Sequence, residues 1–237
     1  MKIDIQSSDI LLEDKDIIVI KKSAGIASES KSPMQKDMVR LLKNYLALTQ
    51  NSNEPYIGLV HRLDQPVSGI MVFAKTPKSA SVLSKNIQSG LLNKNYTAVV
   101  HPAMGGNYDL PGAENEVRET KLSNFLLRDK GNTTIVVSAG TPGAKRAELI
   151  YTISPDETFI NEVSARTVKI KLITGRHHQI RVQLSNAGLP IIGDRKYGCM
   201  PTGYTGSLLL CANDLEFTHP VTGEALHFTL PEEEMFL

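Results

Sequence analysis

His61-Arg62-Leu63-Asp64-Gln65-Pro66-Val67-Ser68-Gly69 runs directly into Ile70-Met71-Val72-Phe73-Ala74. Five consecutive apolar residues after Gly69, closed by Lys75-Thr76-Pro77, have the length and bounds of a buried strand rather than a helix. Pro66 and Gly69 break the chain just before it, so Asp64 sits in a turn between two apolar segments. Loops beside a rigid strand are where functional side chains concentrate. An Asp in such a place is also an ordinary turn cap, and spacing alone does not separate the two.

Outward from this stretch, Thr76-Pro77 starts a helix over about 77–89, with a hydroxyl cap and a proline at the first helical position. Ala80, Leu83 and Ile87 share one face, and Gly90 follows the end. Ser32-Pro33 repeats the signature and predicts a helix near 33–47, with Met34, Met38, Leu41, Leu42, Tyr45 and Leu46 at helical spacing. Strands are expected at 17–20, 70–74, 96–100, 121–127, 134–138, 147–153, 168–173, 208–212 and 226–229. A third helix is expected over 178–187, ended by Gly188. Many strands and few helices make the fold class α+β, with a central mixed, mainly antiparallel sheet and flanking helices. At 237 residues the chain suits a single domain.

Composition excludes several classes. With 41% hydrophobic residues the chain buries a core without cross-links. Two cysteines suit a reducing, cytoplasmic setting. No apolar run is long enough for a membrane span. Neither Cys/His spacing for a metal nor a Gly-Lys phosphate loop is present.

The net charge of +1 conceals segregation. Arg166 to Gly198 holds seven basic residues and one acid, +6; Tyr56 to His101 holds five and one, +4; Asp214 to Leu237 holds six acids and no Lys or Arg, −6. The two basic segments either converge into one patch or reflect the ordinary fluctuation of charge along a chain, and the counts alone do not separate the two.

Thr174-Gly175-Arg176-His177-His178-Gln179-Ile180-Arg181 places donors at a strand-to-helix junction, suited to an anion. Arg181 falls in the first helical turn, where the macrodipole opposes a cation, so it calls for a nearby carboxylate or phosphate.

Taken in order, His61-Arg62-Leu63-Asp64 with Ser68-Gly69, Lys94-x-Tyr96, Gly175-Arg176-x-His178-Gln179-Ile180-Arg181 and Gly193-Asp194-x-x-Tyr197-Gly198 resemble the RluA-type family of RNA pseudouridine synthases. The resemblance covers about residues 10–232. It implies an isomerase that detaches uracil from ribose, rotates it and rejoins it through C5, with an active-site cleft and without cofactor or metal. It implies catalytic roles for Asp64, for Tyr96 against the base, and for Arg181 as the partner of Asp64. Arg62 resembles the arginine that fills the stack when a base is extruded. Arg176, His178 and Gln179 are assigned to RNA contact or to support of the loop, with support favoured for His178 and Gln179. Asp194 reads as a turn carboxylate. The expected partner is a stem-loop of tRNA or rRNA, engaged by a monomer lacking an N-terminal RNA-binding accessory domain. Ser23, Val67, His177 and Cys211 depart from the family's usual residues without removing a catalytic group. A glycoside hydrolase, the rival reading, would want a second carboxylate near Asp64, and a non-catalytic RNA-binding relative could dispense with Asp64.

Overall fold

In a computed structural model, residues 5–32, 34–50, 54–102 and 118–236 are described. In chain order the elements are β1 (Ile10–Glu13), β2 (Ile17–Lys22), α1 (Met38–Gln50), β3 (Gly58–Leu59), β4 (Ser68–Ala74), α2 (Pro77–Gln88) and β5 (Asn93–Val100). They continue with β6 (Thr120–Arg128), β7 (Thr134–Val137), β8 (Lys145–Ile160), β9 (Val163–Leu172), α3 (Gln179–Asn186), β10 (Leu210–Thr218) and β11 (Ala225–Thr229). The strand pairs with a defined register run antiparallel.

Two compact units are present: Met1–Lys94 with Ala212–Leu237, and Asn95–Cys211. In the first, the strand order is β1-β2-β4-β10, with β11 on β10 and β3 on β4. Every residue of β4 is buried, as its uninterrupted apolar run requires. α2 begins where expected, because the Thr76 side chain accepts from the Ser79 N–H. α1 begins later than the predicted 33. Its cap is Asp37, whose Oδ1 accepts from the Arg40 N–H at 2.9 Å, and Met34 is 94% exposed. Pro33, part of the expected cap, lies outside the described residues.

Gly69, the second residue of β4, has φ +135, and a Cβ there would overlap the Ala212 carbonyl oxygen and stand 2.6 Å from its nitrogen. Both atoms belong to backbone and cannot yield as a side chain would. Gly69→Ala is therefore expected to cost on the order of 3 kcal/mol. The check is a urea titration, in which the midpoint should fall sharply.

In the second unit the order is β5-β9-β8-β6-β7. β8 and β9 form a hairpin longer than the expected 147–153 and 168–173. A register irregularity between Ile153 and Glu157 lets it pass Pro155 and continue to a turn at Asn161-Glu162. The Arg166 guanidinium bridges the carbonyls of Ser154 and Pro155. α3 packs on the face formed by Leu126 and Ala147 through Val182.

Candidate active site

The turn that carries Asp64 is fixed on both flanks. Before it, the Ser28 hydroxyl donates to the Leu63 carbonyl at 2.8 Å and accepts from the Leu63 N–H at 3.0 Å. After it, the Gln65 carbonyl accepts from the Gly25 N–H at 2.8 Å and from the Lys22 ammonium at 3.2 Å. The Gln65 amide donates back to the Gly25 carbonyl. Lys22 is fully buried and also bonds the carbonyls of Ser23 and Ile26. The Val67 N–H closes the turn onto the Asp64 carbonyl. Asp64 itself is half-buried and Arg62 is exposed. A carboxylate on a loop so pinned keeps its direction, which chemistry at one atom requires.

His61, at the head of the turn, is buried. Its Nε2 accepts from the Val72 N–H at 3.1 Å, which puts the ring proton on Nδ1. Burial, with a smaller contribution from the Lys94 charge, holds its pKa well below the usual histidine value.

Tyr96 is buried on β5 and faces Ile170 of β9, which in turn faces Tyr151 of β8. Side chains alternate along a strand. Lys169 and Lys171 flank Ile170 and therefore point to the opposite side of the sheet from Tyr96, where both are exposed. Within this unit, two of the seven basic residues of that segment thus lie on the side of the sheet opposite Tyr96.

Arg181 supplies the least anticipated geometry. Its Nε donates to Asp194 Oδ2 and its Nη2 to Asp194 Oδ1, both at 2.7 Å. The two side chains are 5% and 1% exposed. Asp194 Oδ1 also accepts from the backbone N–H groups of Lys196 and Tyr197. Burial alone would raise the Asp194 pKa, but the Arg181 bonds and charge and these two N–H groups outweigh it and hold it below the ordinary value. Asp194 is thus a turn cap, as expected, and also a counter-ion for the cation in the first turn of α3, a role the sequence reading missed. The available signal was a second acid in a Gly-Asp turn thirteen positions after an otherwise unfavourable arginine.

The Tyr197 ring lies beneath the same guanidinium, 5.2 Å from centroid to Cζ. Its hydroxyl accepts from the Thr134 N–H at 2.6 Å and bonds His178 Nδ1 at 2.7 Å. His177 stacks on His178 and bonds the Thr134 hydroxyl. His178 precedes α3 with φ 52. Gln179 is buried, and its Oε1 accepts from the Thr174 hydroxyl and the Arg176 N–H while its Nε2 donates to the Glu148 carbonyl. Those bonds tie the loop to β8. Arg176 donates to the Arg146 carbonyl and is exposed.

Among the described residues, one group of side chains has metal-ligand proximity: Asp14, Asp16 and His219. The His219 Nδ1 accepts from the N–H groups of Val221 and Thr222, so Nε2 carries the proton it gives to Asp14 Oδ2 at 2.8 Å. That nitrogen has no lone pair for a metal; the group is a hydrogen-bonded clamp.

Residues 16–186 match the protein family described as RNA pseudouridylate synthase. The chain belongs to that family. It is 31% identical over 236 residues to the ribosomal large subunit pseudouridine synthase C of Buchnera aphidicola, covering 97% of this chain and 68% of that one. It is also 31% identical to the ribosomal large subunit pseudouridine synthase D of Pseudomonas aeruginosa, covering 97% and 69%. The chain thus spans about two thirds of the length of these relatives. The solved human RNA pseudouridylate synthase domain containing 4 superposes with a TM-score of 0.71 at 22% identity, over 96% of this chain and 90% of that one, and shares the fold. This pseudouridine synthase is accordingly an α+β isomerase that acts on RNA, of the RluA type that its motifs resemble. None of its helices, among the described residues, is long and apolar enough to cross a membrane.

Proposed function

We propose that the protein converts uridine in large-subunit ribosomal RNA to pseudouridine, acting as a cytoplasmic monomer with Asp64 as the essential carboxylate. Arg181 is the cationic partner of that carboxylate, Tyr96 lies against the target base, and Arg62 enters the RNA stack. The observation that carries the reading is the double clamp on the Asp64 turn, by Ser28 on Leu63 and by Lys22 and Gly25 on Gln65. The names of the two relatives above favour ribosomal RNA over tRNA.

The reaction breaks the bond from ribose C1′ to N1, turns the ring and forms a bond from C1′ to C5. The C5 proton is lost and N1 gains one, so atoms balance without a co-reactant. Asp64 serves by attack on C1′, by attack on C6 or by removing a ribose proton, and each route requires it as a carboxylate. Extruding the base costs a few kcal/mol, which an exposed Arg62 filling the vacated stack offsets. His178 and Gln179 are assigned to loop support, and exposed Arg176 to phosphate.

The substrate is tested by incubating the protein separately with large-subunit rRNA and total tRNA from cells lacking it, followed by pseudouridine mapping. New pseudouridine is expected in the rRNA alone. Product confined to tRNA would overturn the substrate assignment.

A further inference from the structure

Lys94 lies two residues before Tyr96 on β5, so the two side chains leave the strand on one face. Lys94 is only partly exposed, and burial lowers its pKa to about 8. Among the described residues its ammonium has neither an ion pair nor a hydrogen-bond acceptor. A partly desolvated ammonium without a counter-charge carries a cost that a bound anionic group would relieve.

A second donor nearby is in the same condition. Lys94 is close enough to His61 for its charge to disfavour protonation of that ring. The proton of His61 is on Nδ1, and Nδ1 is buried with no acceptor. Two donors without acceptors, one of them charged, thus stand at the head of the Asp64 turn and at the start of the Tyr96 strand. Among the described residues no protein acceptor meets either donor: Val72 uses only the far nitrogen of His61.

We infer that Lys94 is a catalytic residue whose ammonium stabilises the negative charge that develops on the uracil ring as its bond to ribose breaks. The inference rests on the proposed reading of Tyr96 as the residue against the base. When the C1′–N1 bond breaks, its electron pair leaves with the ring and spreads over N1, O2 and O4. On the routes through C1′ attack or ribose-proton removal, the ribose deficit is met by Asp64. Formation of the C5–C1′ bond, loss of the C5 proton and protonation of N1 then discharge the ring. Lys94 keeps its own proton throughout and acts by its field, which is strongest where water is excluded. A permanent phosphate is the other anionic oxygen RNA offers. Phosphate keeps the same charge before and after the bond breaks, so a lysine serving it would govern affinity and not the chemical step.

The test compares wild type, Lys94→Met and Lys94→Arg on a large-subunit rRNA transcript carrying tritium at uridine C5. Release of tritium under single turnover reads the chemical step, filter binding reads affinity, and thermal unfolding reads the fold. Lys94→Met should slow single-turnover release about 100-fold. It should leave RNA affinity within about threefold and keep Tm equal or higher, because a partly buried charge without a counter-ion has been removed. Lys94→Arg should recover part of the rate. A Lys94→Met rate within about threefold of wild type at saturating enzyme overturns the inference, whether or not affinity falls. So does a large drop in Tm, which would make Lys94 a structural contact. If wild type itself releases no tritium from any RNA, the failure belongs to the proposed function and not to Lys94.

Discussion

Asp194→Ala is expected to abolish most activity and to lower the stability of the fold together. The carboxylate is the acceptor for two guanidinium bonds of 2.7 Å and two backbone N–H groups, and both charged side chains are almost wholly buried. Removing one member of such a pair leaves a buried charge uncompensated, which costs on the order of 3 kcal/mol. For a chain of this size that corresponds to a fall in Tm of roughly 10 °C. The guanidinium would also be released from the ring of Tyr197, 5.2 Å away, and would no longer hold one direction. A double variant separates the two effects. Arg181→Met with Asp194→Leu removes both charges, so much of the lost Tm should return. Pseudouridine formation should not return if Arg181 partners Asp64 as proposed. Recovery of activity in the double variant would make Arg181 purely structural.

The same pair sets an acid limb of stability. The folded pKa of Asp194 lies below its ordinary value of 3.8. A depressed carboxylate contributes stability that is complete above the unfolded pKa and is lost as pH falls through the folded one. Wild type should therefore lose Tm below about pH 4 more steeply than Asp194→Ala, measured by thermal unfolding across pH.

What was legible followed from local chemistry. β4 was visible because five apolar residues follow a Pro/Gly turn, and α2 because Thr76-Pro77 is a complete start signal. The Asp64 turn stood out for the same reason, while its clamps did not. Ser28 and Lys22 reach it from 35 and 43 residues away, and no spacing rule connects them. α1 was misplaced because Ser32-Pro33 offers a second cap before Asp37, and only burial of Asp37 decides between them. The charge pattern left out one physical detail: a sum over residues ignores strand alternation, which turns Lys169 and Lys171 away from Tyr96. Asp194 was underestimated because its second role depends on a partner thirteen positions earlier, brought to it by the turn after α3.

Asp64→Asn is expected to leave the fold intact and to remove the reaction. The half-buried side chain keeps its shape and loses its charge, and the backbone bonds at Leu63 and Gln65 that hold the turn stay in place. Tm should therefore stay within a few degrees of wild type. Every route open to Asp64 needs an anionic oxygen, as nucleophile or as base, and losing such a group costs at least about 1,000-fold. The decisive measurement is pseudouridine mapping of large-subunit rRNA from cells lacking the enzyme, after single-turnover incubation with wild type or with Asp64→Asn. New pseudouridine should form with wild type and be absent with a folded Asp64→Asn variant. Undiminished product with that variant would contradict the assignment of the chemistry to Asp64.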